Sequence, residues 1–353
     1  MYPKRFTFDP ALIESARVVT LRSPNLNVLR DENRAKMPGI AHFLEGGFKA
    51  RDKEGKLLLP NLSALANPTI GIFSDYGGED ASSRYFTYSF LVCAYGSLDP
   101  FKQKMGALRE KSRIGQKEIA FKDFRHGPLR RMLPAYLGLT DQYISGLLFT
   151  LIVEKTIPSL FGPGDPETIR LMADALARTG YGAVTSKVAE KLFRIVHCIA
   201  FLIALLGHPG QKIFWMTDHD AIGETFERHT KLLSVLNAAL PLYTAKSFSF
   251  LGGARPFTPR ACELLDLLSV SDIAAGAIAQ YLSRIDIQGE KNAEIKPGAE
   301  HVLRWLCYNS VTLKKFTMTV KRLPNGGVGY GTVDFEARVP MKGELFIPTQ
   351  LVI

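Results

Sequence analysis

The chain has 353 residues, 46% hydrophobic and 22% charged, enough to bury a substantial core in one elaborated domain or two, which argues against a disordered protein. Its 44 Lys and Arg against 34 Asp and Glu give a net charge of +10. That excess suits a polyanionic partner such as nucleic acid, although the basic residues form no long tract and an ordinary basic protein reads the same way.

Residues 1 to about 66 are punctuated by Pro3, Pro10, Pro24, Pro38 and Pro60, and read as an N-terminal extension on the main domain. The opening Met1-Tyr2-Pro3-Lys4-Arg5 lacks the apolar stretch of a secretory signal. From about 68 the pattern sharpens. Thr69 to Ser74 reads as a buried strand ending at Asp75, then a polar turn through Gly77 and Gly78, then a hairpin partner from Tyr85 to Tyr95. A helix is expected from Asp99 to Arg109 with Pro100 in its first turn, and another from Pro128 to Leu137; Glu118 to Phe124 is ambiguous. Leu147 to Val153 reads as a fully buried strand, followed by helices at about 165–179 and 185–206.

A second strand, Lys212 to Thr217, ends at Asp218, with a helix expected from about 220 to 239. Tyr243 to Leu251 alternates weakly, and 258–285 is a long, well-marked helix. Phe316 to Arg322 and Tyr330 to Val339 flank Pro324-Asn325-Gly326-Gly327, a hairpin signal. A hairpin followed by strands alternating with helices predicts an α/β fold with a mixed sheet. Cys93, Cys198, Cys262 and Cys307 lie far apart with no C-x-x-C pair, which argues against zinc knuckles and a disulfide framework and for reduced thiols in a cytoplasmic protein. Ile195 to Leu206, interrupted by His197, is too short to span a bilayer, so no membrane partner is expected and His197 reads as a core residue.

Two apolar strands thus end in an aspartate, and a third aspartate lies inside an apolar helix. The helical neighbours of Asp272 three, four and seven residues away include Leu265, Leu268, Ser269, Ala275, Gly276 and Ala279, none of them charged. An ionised Asp on such a face is costly unless it is paired, hydrogen-bonded or metal-bound. Asp75 by itself has a local alternative as a strand-end turn residue. Asp220 is the better helix cap of the pair that brackets His219, which leaves Asp218 without a structural task. Glu118 is the weakest of the acids, since a lone Glu is usually solvated. His126 and His219 lie close to the acids in sequence, and histidine is a residue type suited to proton transfer. No phosphate-binding G-x-x-x-x-G-K-[ST] loop, G-x-S-x-G elbow or H-E-x-x-H motif is present.

In order, Asp75, Glu118, Asp218 and Asp272 resemble the D-E-D-D acids of the ribonuclease-H-like superfamily, and within it the family filed as domain of unknown function 3800. The matching segments are Phe73-Ser74-Asp75-Tyr76-Gly77-Gly78, Glu118-Ile119-Ala120-Phe121-Lys122 and Leu267-Leu268-Ser269-Val270-Ser271-Asp272-Ile273-Ala274-Ala275-Gly276. The resemblance covers about 68 to 290. It implies an α/β, RNase H-like mixed sheet flanked by helices, with residues 1–67 as an N-terminal extension and 291–353 as a C-terminal β-hairpin region packing on the main domain. It implies further a nuclease that uses two Mg²⁺ or Mn²⁺ ions, with Asp75 bridging them, Asp218 and Glu118 each completing one shell, and Asp272 finishing the second. Asp220, His219 and His126 are secondary candidates. Lys122, Arg125, Arg130, Arg131 and Lys155 are candidate phosphate contacts, and each also reads as ordinary surface charge. A role in defence against mobile elements follows by analogy only. One departure stands out: Tyr76 replaces the usual Glu after the first Asp. It favours the alternative of a catalytically degenerate module that binds nucleic acid or a partner protein.

Overall fold

A computed structural model describes residues 10–162, 166–256, 262–288, 295 and 298–336. Helices α1 (Pro10–Val19), α2 (Asp31–Arg34) and α3 (Gly39–Lys53) precede strands β1 (Thr69–Gly77) and β2 (Tyr85–Ala94). Helices α4 (Asp99–Ser112) and α5 (Gly127–Tyr143) lead into β3 (Gly146–Glu154), and α6 (Pro166–Arg178) and α7 (Ser186–Leu206) into β4 (Lys212–Thr217). Helix α8 (Phe226–Tyr243) precedes β5 (Phe250–Ala254), and α9 (Cys262–Gln288) and α10 (Ala299–Leu306) precede β6 (Leu313–Arg322) and β7 (Val328–Val333).

The strands form one seven-stranded sheet in the order β5-β4-β1-β2-β3-β6-β7, with β2 and β7 antiparallel to the other five. This is an α/β fold with a mixed sheet flanked by helices, consistent with an RNase H-like fold. Side-chain alternation sorts each strand between two apolar layers. In β3, Leu147, Phe149, Leu151 and Val153 join α3, α7 and α8 on one face, while Leu148 and Ile152 join α4, α5, α9 and α10 on the other. Burial on both faces is why this strand reads as a continuous apolar run.

The N-terminal segment is more than a punctuated extension. Pro38 occupies the N-cap position of α3 and Pro60 follows its end, so the prolines bound a 15-residue helix instead of preventing one. Ile40, Ala41, Leu44 and Phe48 of that helix are fully buried, and the Phe48 ring meets Phe149, Phe201 and Phe316. The C-terminal hairpin extends the sheet, since β6 pairs in parallel with β3 and Gly326 takes a φ of +82° in the turn. The second strand of this hairpin was expected to run to Val339; β7 ends at Val333, and 337–339 lie outside the described residues. Likewise α9 is described from Cys262, so 258–261 of the expected helix lie outside.

Two further expectations need correction. The helix expected from 220 begins at Phe226, with Thr225 as its cap, its hydroxyl accepting from the Arg228 N–H at 3.1 Å. The weak strand expected over Tyr243 to Leu251 lies later, at Phe250–Ala254. Among the described residues one helical stretch, Glu263–Asp286, is long and apolar enough to cross a membrane; 72% of its most apolar window is buried, as in the core helix of a folded domain.

Candidate active site

Parallel pairing of β1 and β4 sets Ser74 opposite Thr217, so Asp75 and Asp218 stand at the same level on neighbouring strands. The ladder continues past β4, with the Asp218 N–H donating to the Ser74 carbonyl at 3.1 Å. Phe73 and Met216, two residues earlier, belong to the layer under α9, so alternation turns both aspartates to that face. The intervening residues meet on the other face. The Tyr76 hydroxyl bonds the Ser74 and Thr217 hydroxyls, each at 2.8 Å, and Trp215 Nε1 donates to Ser74 Oγ at 2.9 Å. This hydroxyl chain fixes the register of the strand ends that carry the acids.

Helix α9 brings Asp272 to the same place because the residues around it grip the sheet. The Ser271 hydroxyl donates to the Phe73 carbonyl at 2.7 Å and accepts from the Leu91 N–H at 3.1 Å, bridging β1 and β2 at a paired position. One turn on, Thr87 Oγ1 donates to the Ala275 carbonyl at 3.1 Å. Gly77 permits this approach: a Cβ there would stand 2.6 Å from the Thr87 hydroxyl and 3.2 Å from the Ala275 carbonyl.

Glu118 comes in on an extended segment that ends in a short 3₁₀ turn, Phe121–Asp123. The Phe121 N–H donates to Asp272 Oδ2 at 2.6 Å, and the Phe121 ring packs where Gly276 has no side chain. Arg109 steadies the start of that segment. Its guanidinium pairs with buried Asp266 of α9 and donates to the Gly115 and Lys117 carbonyls at 2.8 and 2.9 Å.

The four acids Asp75, Glu118, Asp218 and Asp272 therefore line one cavity of about 430 Å³ together with Lys122, His219 and Arg255. Asp75 is 6% exposed. Burial holds its carboxyl well above the usual range, and the Asp272 and Asp218 charges add to this. Burial likewise pushes Asp272 up to about 7 against the pull of the Phe121 N–H, with Glu118 and Asp218 repelling its charge. Glu118 is raised by burial, with Lys122 partly offsetting. None of the four makes an ion pair among the described residues. Four hard oxygen donors with excess negative charge suit Mg²⁺ or Mn²⁺, although as the side chains stand no three acidic, His or Cys groups among the described residues already converge as ligands of one ion.

Other expected site residues lie elsewhere. Asp220 neither caps a helix nor lines the cavity; its carboxylate pairs with Lys191, which also holds Glu79. His126 is exposed at the N-cap position of α5, and Arg125, Arg130 and Arg131 are exposed beside it without lining the cavity. Lys155 lies over the Phe86 ring at 5.0 Å and donates to the Asp80 carbonyl at 2.6 Å. His197 is a satisfied core residue, its Nδ1 2.6 Å from the Tyr243 hydroxyl, with burial pulling its pKa down to about 4. A second cavity of about 260 Å³, between α6, α7 and α8, has a mostly apolar lining with no carboxylate.

Arg255 and Pro256 are the cavity residues that sequence reasoning missed. Their signal was present in outline, since Arg255 directly follows β5 just as Asp218 follows β4. Gly252 and Gly253 hid that strand, because a glycine pair favours a turn over a strand interior. No protein-family model matches the chain, and a search of curated proteins finds no similar sequence.

Proposed function

We propose that this protein is a divalent-metal-dependent nuclease, hydrolysing phosphodiester bonds of RNA or DNA at the Asp75–Glu118–Asp218–Asp272 cavity. The observation that carries the reading is the four-carboxylate lining itself: acids from four separate segments, three held above their ordinary range by burial and mutual repulsion, and none ion-paired among the described residues. Such a set is favourable when cations occupy it.

Bound there, two Mg²⁺ or Mn²⁺ ions would supply the charge that activates an attacking water and stabilises the leaving 3′ oxygen. The chain's own contribution is to hold the acids in place, Asp75 and Asp218 through strand register and Asp272 through Ser271. Asp272, its carboxyl raised to about 7, would give up its proton to bind a cation. Lys122 and Arg255 flank the cavity as phosphate contacts, and His219, exposed on its wall, is the candidate proton donor to the leaving group. Buried free thiols at Cys93 and Cys198 fit a cytoplasmic setting.

The rival reading, a degenerate binding module, drew on Tyr76. Its side chain belongs to the hydroxyl chain on the opposite face, so a tyrosine at this position leaves the acids of the cavity unchanged. The test is incubation of the pure protein with labelled single- and double-stranded RNA and DNA plus Mg²⁺ or Mn²⁺, beside an Asp75→Asn/Asp272→Asn double variant. Metal-dependent cleavage that the double variant lacks is expected; its absence on every substrate overturns the nuclease reading.

A further inference from the structure

Beyond Asp272, helix α9 presents Gly276, Ala279 and Ser283 at spacings of four, seven and eleven, a single stripe of small residues. This stripe is one wall of a third recess, a groove of about 680 Å³, closed on its other side by the β1–β2 turn at Gly78, Ser82 and Ser83. Phe121 lines the groove, whereas Ala120 and Lys122 line the acid cavity, so the two recesses adjoin across one residue.

The groove's charge is uneven. Asp80 is engaged by its own turn, accepting from the Ser82 and Ser83 N–H groups at 3.1 and 3.0 Å and from the Ser82 hydroxyl at 2.5 Å, with Lys155 beside it. Arg284 also lines the groove. It is partly exposed and makes no ion pair or hydrogen bond among the described residues. A guanidinium left without an ion pair in a groove of mixed polar and apolar lining is a ready contact for a phosphate.

One acid of the cavity lies at its floor, while Glu118, Asp218 and Asp272 are half-buried and Lys122 and His219 are exposed at its rim. Asp75 is almost fully buried, with Ala120 and Lys122, Arg255 and Pro256 also in the cavity wall. A phosphate must be carried down into that recess. A single strand can bend to do so, whereas a duplex is a stiff rod over this length.

We propose that the groove is a track for one single strand of nucleic acid: with the scissile phosphate at the acids, neighbouring nucleotides run along α9 to Arg284. Arg284 is twelve residues beyond Asp272, roughly 18 Å at 1.5 Å per residue. The Ser82, Ser83 and Ser283 hydroxyls that line the track donate within the protein, to Asp80, Tyr85 and Ala279, and keep lone pairs that can accept from sugar hydroxyls or base N–H groups without selecting one base. This inference rests on the nuclease reading for the scissile phosphate, but binding to the track is separable from cleavage.

The experiment is fluorescence anisotropy of labelled single-stranded RNA and DNA oligonucleotides, and their duplexes, with the full chain in a chelator, where no metal-dependent cleavage occurs. Arg284→Glu is compared with Lys53→Glu, an equal charge change on exposed Lys53 of α3 across the sheet. Arg284→Glu is expected to weaken single-strand binding by about tenfold or more and Arg284→Ala to reduce the salt slope by about one. Lys53→Glu should change binding by less than about twofold, and single strands should bind more tightly than duplexes. Equal loss in both charge reversals, or duplex binding as tight as single-strand binding, overturns the track. Arg284-dependent binding without any cleavage in Mn²⁺ would retain the track and remove the nuclease reading; cleavage with KM unchanged in Arg284→Glu would do the opposite.

Discussion

Helix α9 carries two inward aspartates six residues apart, and they live in opposite electrostatic worlds. Asp266 comes with its own cation: Arg109 reaches across from α4, makes a two-pronged contact at 3.0–3.1 Å through Nε, and is itself buried. Asp272 faces Asp75, Asp218 and Glu118, and its one hydrogen bond among the described residues is to the Phe121 N–H. Lys191 tells the same story as Arg109, drawing in Asp220 and Glu79 on the far face of the same strand ends. The fold therefore supplies a cation to acids with a structural task, and the four acids of the cavity are the exception. That contrast is what supports the proposal that they form a site.

The contrast breaks most visibly if Arg109 is removed. Arg109→Met should strand Asp266 as a buried, unpaired charge and destabilise the protein by about 3–5 kcal/mol, read by urea denaturation. It should also release the carbonyls of Gly115 and Lys117, and with them the approach of Glu118. A loss below about 1 kcal/mol would place Arg109 with ordinary surface pairs and dissolve the comparison.

Asp272 should respond with the opposite sign. Its carboxyl titrates near 7 in the folded chain against 3.8 unfolded. The folded state therefore binds the proton more tightly, and the stability this confers is complete below about pH 4 and is lost as pH rises to about 7. Each tenfold displacement of proton affinity is about 1.4 kcal/mol; discounted for solvent screening, the expected fall in chelator is about 2 kcal/mol. His197, held neutral by burial with a pKa near 4, pulls the other way in the acid part of that window. The measurement is thus the difference between wild type and Asp272→Asn across the window. Asp272→Asn should flatten the dependence and be the more stable protein at neutral pH without metal. Equal pH profiles for the two proteins would mean that Asp272 carries no unrelieved charge.

Much of this contrast was legible in the sequence, because it follows from periodicity. Apolar runs that stop at Asp75 and Asp218 are what strand ends look like, and an uncharged helical face around Asp272 is what a buried acid looks like. What stayed hidden depends on long-range partners. Arg255 was obscured because β5 is short and contains Gly252 and Gly253, and Arg109 because nothing local links α4 to α9. The buried helix α3 was hidden by prolines that bound it. Asp220 was misread because the local capping rule was applied to the two aspartates that bracket His219, and only tertiary structure shows that Lys191 takes Asp220 and that the helix starts later, at Thr225.

Tyr76 sharpens the separation of the two faces. Tyr76→Phe keeps the ring under Lys191, 4.9 Å from its ammonium, but removes the hydroxyl joining Ser74 to Thr217. The expected loss is about 1–1.5 kcal/mol of stability, with metal affinity at the acids unchanged by calorimetric titration. A large fall in metal affinity with little change in stability would show that the far face is coupled to the cavity through more than strand register.

The smallest effect decides what Asp220 does. With Thr225 as the cap of α8, Thr225→Ala should lower stability by about 1 kcal/mol, because the Arg228 N–H loses its acceptor at an exposed helix end. Asp220→Asn should leave that cap intact and act through Lys191, which is mostly buried and keeps Glu79 as its second partner. The two substitutions touch different partners, so their effects should add in the double variant to within about 0.5 kcal/mol. If Thr225→Ala were silent and Asp220→Asn shortened α8, measured as lost amide protection in its first turn, Asp220 would be a helix cap after all. The far face would then lose the paired acid against which the cavity is compared.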